Sequence, residues 1–230
     1  ANKFNDQVHR ISLEWARIEP EEGKIDKNTL KKYKEMFLYM KNQGIEPMIC
    51  LNHFALPLWF VEKGGWESSE ASFYYSRYAK VIAKEIGLPL KIKWWLTFNE
   101  PQVMLLQYTK GNWPPNKPVT NFQDHEGVQR ALKVASNLID THRLAYRAIH
   151  DILGNKVMVS YASAPGSFYP HNSDSPLDQI AYNISTALDT LVFDYAVGRV
   201  DRDFIGLNYY GRVKLTLHIS FWDSVKRMTV

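Results

Sequence analysis

WWLTFNEPQ, residues 94–102, is a short apolar run that stops on an amide, a carboxylate and a proline. It reads as a buried strand, and the polar groups stand just past its C-terminal end. Pro101 supports that boundary, because proline pushes the residue before it away from the right-handed helical region. Taken alone, Glu100 has a plain reading as a solvated loop residue. The rest of the chain weighs against it.

Working outward, four further segments rich in β-branched or aromatic residues read as strands, near residues 9–13, 46–51, 156–161 and 203–209. Helical patterns separate them. KNTLKKYKEMFLYMKNQG carries Leu30, Tyr33, Phe37 and Met40 on one face and stops at Gly44. SSEASFYYSRYAKVIAKEIG uses Phe73, Tyr74, Tyr78, Val81 and Ile82 in the same way, with Gly87 as its stop. A third helix runs from about residue 128 to 153, closed by Gly154, and a less regular fourth spans about 178–197. Strand and helix alternate throughout, which predicts right-handed βαβ units and a parallel sheet. Nothing marks a linker, so residues 1–230 read as one domain.

The long connections follow strands rather than precede them: ARIEPEEGKID, FALPLWFVEKGGW and QVMLLQYTKGNWPPNKPVTNF. That asymmetry belongs to α/β chains of the (β/α)8 TIM-barrel type, here an incomplete barrel of about five βα units, whose sites are built from the loops at the C-terminal strand ends. Glu14, His53, Asn99, Glu100, Asn208 and Tyr210 all fall at such ends, and Arg10 lies within the first strand. A barrel brings them to one mouth.

Composition narrows the function. The chain is 45% hydrophobic and 23% charged, enough to bury a core. Its net charge of +4 is dispersed, with KKYK at 31–34 answered by Glu35, which argues against nucleic acid. No apolar run is long enough to span a membrane, since MICLNHFALPLWF is broken by Asn52, His53 and two prolines. The chain opens polar, with no expected signal peptide, and the single Cys50 suits a reducing cytoplasm. Seven Trp, 13 Tyr and 11 Phe serve a core, an interface or flat ligands such as sugar rings. No HxH, HExxH, CxxC, P-loop or GxGxxG pattern occurs, so no metal and no cofactor is expected. His142 reads as a core histidine on a helix, and His142 and His150, eight apart, lack metal-ligand spacing. The sequon at Asn183 falls in a helical segment and is discounted.

HRISLEWARIEP, LNHFALPLWF, WWLTFNEPQ, GNWPP and DFIGLNYY, in this order, resemble the β-glucosidases and β-galactosidases of glycoside hydrolase family 1. The resemblance implies a retaining double displacement on a small-molecule β-glycoside, with Glu100 as general acid/base. It gives Asn99 to the sugar 2-hydroxyl and His53 to the 3-hydroxyl. Arg10, Asn208 and Tyr210 match residues that orient the nucleophile. Phe54 stands where many members have tryptophan, which leaves the sugar preference open. Glu14 is expected to be structural, in a salt bridge or hydrogen bond at the barrel rim.

The match runs from the family's second strand to its sixth. A retaining glycosidase needs a second carboxylate about 5–5.5 Å from the first. The T-E-N-G segment that carries it in the family is not found here, nor is the first-strand glutamine motif or the tryptophan-rich eighth strand. The leading expectation is part of a larger family member. The alternative is a shortened, non-catalytic relative that binds carbohydrate or a partner. A metal-dependent hydrolase using His53 and Glu100 as ligands is a third, weaker reading.

Overall fold

The structure, a computed structural model, describes residues 7–120, 123–164, 167–190 and 201–215. Five strands form a curled, wholly parallel sheet, an incomplete barrel in the order β1 (Val8–Ser12), β2 (Glu46–Cys50), β3 (Trp94–Asn99), β4 (Met158–Ser163) and β6 (Gly206–Leu207). Val8 pairs with Glu46, Met48 with Trp94, Trp94 with Met158, and Ala162 with Gly206. These registers set every C-terminal strand end on one rim. A register shift between Leu96 and Asn99 lies in β3 just before Glu100. A small parallel pair, β5 (Ser167–Pro170) with β7 (Arg212–Leu215), was not foreseen.

All five expected strands are present, but β6 is reduced to two residues. A Cβ on Gly206 would stand 2.5 Å from the Tyr161 carbonyl oxygen, so this strand meets β4 at a distance only glycine permits.

Helices cover the outer face. After α1 (Trp15–Ile18), α2 (Lys27–Asn42) opens on Asp26, whose carboxylate accepts the Thr29 amide at 2.9 Å, and closes at Gly44 with φ 74°. Leu30, Phe37 and Met40 are buried and Tyr33 packs at the edge. A short α3 (Leu58–Glu62) precedes α4 (Ala71–Ile82), where the expected face needs correcting. Tyr74, Tyr78 and Ile82 are buried and Val81 is half-buried, but Phe73 is 57% exposed. Tyr75 takes the inward place, its hydroxyl donating to the Thr97 carbonyl. Gly87 is not a stop either. The helix continues through a π turn, Ala83–Gly87, into α5 (Leu88–Leu90), and ends at Lys91 with φ 52°. Gly87 is required by packing, since its Cβ would lie 2.6 Å from the Trp95 ring.

Then come α6 (Pro101–Thr109), α7 (His125–Leu153) and α8 (Pro176–Thr190). The expected fourth helix agrees as far as Thr190, and 191–197 lie outside the described residues. Most of the aromatic content goes to the layer between sheet and helices. Trp15, fully buried, stacks on Tyr78 at 5.2 Å and meets Trp59 and Tyr75 edge-on at 5.7 and 5.3 Å. Buried Glu19 satisfies this layer's polar tips, accepting from the Trp15 indole at 2.8 Å while pairing with Arg77.

Candidate active site

Glu100 stands where β3 gives way to α6, with φ 49° and ψ 62°. A glutamate in this left-handed region costs about 1–3 kcal/mol and persists only where its surroundings fix it. Its amide donates to the Ala162 carbonyl at 2.7 Å, and its carbonyl receives the amides of Val103 and Met104, starting α6 with Pro101 in the first position. The residue is buried, 5% exposed.

One of its oxygens is fully engaged. Oε1 accepts Asn208 Nδ2 at 2.6 Å and the Tyr210 hydroxyl. Oε2 takes no hydrogen bond among the described residues, which leaves it as the atom able to exchange a proton. Asn208 Nδ2 also donates to Asn99 Oδ1 at 2.9 Å, and Asn208 Oδ1 accepts from Arg10 Nη1 at 3.2 Å. The Asn208 amide donates to the Ser163 carbonyl at 2.7 Å, which pins its backbone to the end of β4. Arg10, Asn99, Glu100, Asn208 and Tyr210, drawn from β1, β3 and the residues at and after β6, therefore form one hydrogen-bonded group. Tyr210 is 78% exposed, and its bond to Glu100 raises its phenol above the usual range, so it remains a donor at neutral pH. The resemblance gave Arg10, Asn208 and Tyr210 to a nucleophile; here Asn208 and Tyr210 bind Glu100, and Arg10 reaches it through Asn208.

Asn99 is completely buried, and its Nδ2 is a donor with no partner among the described residues. Leaving such a group unsatisfied costs about 1–3 kcal/mol, which a hydroxyl brought by a ligand would recover. His53 sits exposed on the loop after β2, its Nδ1 3.1 Å from Ser12 Oγ. Partial burial and then the Arg10 charge lower its pKa, against the opposing pull of Glu100 and Glu14, so the imidazole is neutral at pH 7.

Asn52 and Ser12 were missed by sequence reasoning. Asn52 Oδ1 accepts the Phe54 amide at 3.1 Å and Nδ2 donates to the Ala55 carbonyl at 2.8 Å, an Asx turn that holds Phe54 at φ 76°. The Phe54 ring meets His53 edge-on at 4.8 Å and Trp113 of GNWPP at 5.0 Å. The asparagine before His53 was the available signal. Of the salt bridge or hydrogen bond expected of Glu14, the structure shows a hydrogen bond made by the backbone: its amide donates to the Tyr33 hydroxyl oxygen at 3.1 Å, and its carboxylate forms no ion pair among the described residues. His142 is a core residue, fully buried.

Among the described residues no group of three or more His, Cys, Asp or Glu is placed to hold a metal ion, and no helix is long and apolar enough to cross a membrane.

A family model, Glycosyl hydrolase family 1, matches residues 1–201. The chain belongs to glycosyl hydrolase family 1. A 6-phospho-β-galactosidase of Lacticaseibacillus casei (strain BL23) is 28% identical over 195 residues, covering 84% of this chain and 39% of that protein. The solved β-glycosidase from Pyrococcus horikoshii is 31% identical with a TM-score of 0.74, over 90% of this chain and 48% of that one. A family 1 β-glucosidase from Thermotoga maritima, solved with isofagomine lactam, shares the fold at a TM-score of 0.78 and 22% identity, over 93% of this chain and 52% of that one. The chain thus spans between two fifths and about half the length of these members of the family.

Proposed function

We propose that the protein hydrolyses β-glycosidic bonds in small glucosides or galactosides by a retaining double displacement, with Glu100 as general acid/base. The observation that carries this reading is the pairing of a buried carboxylate, one oxygen held and the other free, with the unpartnered Nδ2 of Asn99 beside it. A sugar 2-hydroxyl would take that amide proton, in a contact that strengthens as the oxocarbenium-like transition state forms. Neutral His53 serves the 3-hydroxyl, and the Phe54–Trp113 wall supplies apolar surface beside it.

In the first step Glu100 gives its proton from Oε2 to the glycosidic oxygen while a second carboxylate attacks the anomeric carbon. In the second, Glu100 takes a proton from the water that releases the sugar. The reading requires that second carboxylate about 5–5.5 Å from Glu100, oriented by Arg10, Asn208 and Tyr210. No residue of this chain is assigned the role. The chemistry needs no cofactor, and we read residues 1–230 as one partial barrel domain working in a reducing cytoplasm, where Cys50 stays a free buried thiol. The names of the three relatives given above, a 6-phospho-β-galactosidase, a β-glycosidase and a β-glucosidase, support β-glycosides as the substrate class.

Proton NMR of an aryl β-glucoside turned over by the protein in its natural full length tests the reading. The β-anomer of the free sugar is expected to appear first, and a 2-deoxy-2-fluoro glycoside to label one carboxylate. Release of the α-anomer first would overturn the retaining mechanism. Absence of turnover on glucosides and galactosides alike would favour a carbohydrate-binding relative, and a label on Glu14 would give the nucleophile's role to that residue.

A further inference from the structure

The His142 ring lies within α7 on the helix side of the sheet, fully buried, and both of its nitrogens are engaged. Nδ1 is 2.6 Å from Thr97 Oγ1 on β3, and Nε2 is 2.7 Å from the Asp201 carbonyl oxygen. A carbonyl only accepts, so Nε2 carries the ring proton. Burial above all pushes the imidazole down to about 4, which keeps it neutral at pH 7 and makes Nδ1 the acceptor of the Thr97 hydroxyl. The ring thus has one tautomer and one orientation.

Its two partners lie on the two segments that meet at Glu100. Thr97 precedes Asn99 by two residues on β3. Asp201 opens the stretch 201–210, which ends in Asn208 and Tyr210, the two donors to Glu100 Oε1. Further bonds secure the start of that stretch. Arg143 Nε donates to Asp201 Oδ2 at 2.8 Å. Asp203 accepts from the Tyr146 hydroxyl at 2.7 Å, from His150 Nε2 at 2.9 Å and from the Val159 amide at 2.7 Å. His142, Tyr146 and His150 are four apart and share one face of α7. Of these three, His142 alone also reaches β3.

We propose that His142 is a positioning residue for Glu100. By bridging Thr97 and the Asp201 carbonyl it sets the spacing between β3 and the 201–210 stretch, and through it the hydrogen bonds that Asn208 and Tyr210 make to the carboxylate. The kinetic consequence rests on the reading of Glu100 as the acid/base; the structural one does not.

The test compares His142→Leu, His142→Asn and His142→Gln in the natural full-length protein. Leucine removes both bonds. Asparagine keeps an acceptor near Thr97 but falls short of Asp201, so it carries the comparison if the leucine variant does not fold. Glutamine retains a donor that reaches the Asp201 carbonyl. Crystal structures of the folded leucine or asparagine variant are expected to show Asn208 Nδ2 withdrawn from Glu100 Oε1, from 2.6 Å to beyond about 3.5 Å. In the same variant kcat on an alkyl β-glucoside should fall by roughly tenfold or more, with KM nearly unchanged and a smaller loss on an activated aryl glucoside, and glutamine should restore most of it. A folded leucine or asparagine variant that keeps the 2.6 Å contact, or that loses activity equally on both substrates, overturns the inference. If the unaltered protein proves to have no glycosidase activity, the functional reading fails, and the crystallographic distance alone decides for or against His142.

Discussion

The layer around Trp15 and the rim around Glu100 are built to opposite rules. Behind the sheet, Trp15, Trp59, Tyr75 and Tyr78 pack edge-on and stacked, and their polar tips end on Glu19, on the Thr97 carbonyl of β3 or on the Leu51 carbonyl just past β2. At the rim, a glutamate sits in a left-handed conformation, a buried amide donor goes unpaired and a tyrosine is left largely in solvent. The first region lowers the free energy of the fold. The second raises it, and such costs persist where a bound ligand or a reaction uses them.

The two regions should therefore answer differently to substitution. Trp15→Ala is expected to cost about 3–5 kcal/mol in urea unfolding, because the surrounding rings cannot collapse into the space. A cost below about 1 kcal/mol would break the contrast.

Acid should act through the layer behind the sheet as well. The folded pKa of His142 is about 4, against 6.5 for the free side chain, so the unfolded chain binds the extra proton between those values. The stability linked to neutral His142 is complete above pH 6.5 and is lost as pH falls toward 4, on the order of 3 kcal/mol by linkage. Denaturation curves from pH 7 to 4 should show that loss in the unaltered protein and a smaller one in His142→Gln.

A smaller effect belongs to the rim. His53→Ala should weaken binding of a sugar-shaped inhibitor by about 1–3 kcal/mol in calorimetric titration. Its melting temperature should hardly move. Smallest of all, Phe73→Ser should change stability by less than about 0.5 kcal/mol, since the ring faces solvent. Tyr75→Phe, two positions on, should cost about 1 kcal/mol by removing the hydroxyl that serves the Thr97 carbonyl. Reversal of that order would return Phe73 to the core.

What the sequence made legible follows from how each signal arises. Strand ends were readable because apolar runs stop on polar residues, and Arg10, Asn99, Glu100, Asn208 and Tyr210 were named from the sequence and the family resemblance, whereas Ser12 and Asn52 were not. Tyr75 and Phe73 were not separable, because adjacent aromatic residues on a helix differ in burial only through their partners across the interface. Gly87 was misread for a related reason: a glycine demanded by Trp95 looks, in one dimension, like a helix stop. Glu14 acts through its backbone, which leaves no trace in residue type. The His142 bridge joins residues 45 and 59 positions distant, beyond the reach of any local pattern.

The central claim, that Glu100 gives and takes the proton, is tested most directly by Glu100→Gln in the natural full-length protein, with leaving-group ability varied. Substrates with poor leaving groups should lose about 10²–10⁴-fold in kcat/KM, because only they need a proton in the first step. For activated aryl glucosides the first step should be largely spared, and added azide should restore turnover and yield a β-glycosyl azide. Equal losses across the series with no azide rescue would contradict the assignment and leave Glu100 a structural residue of the rim.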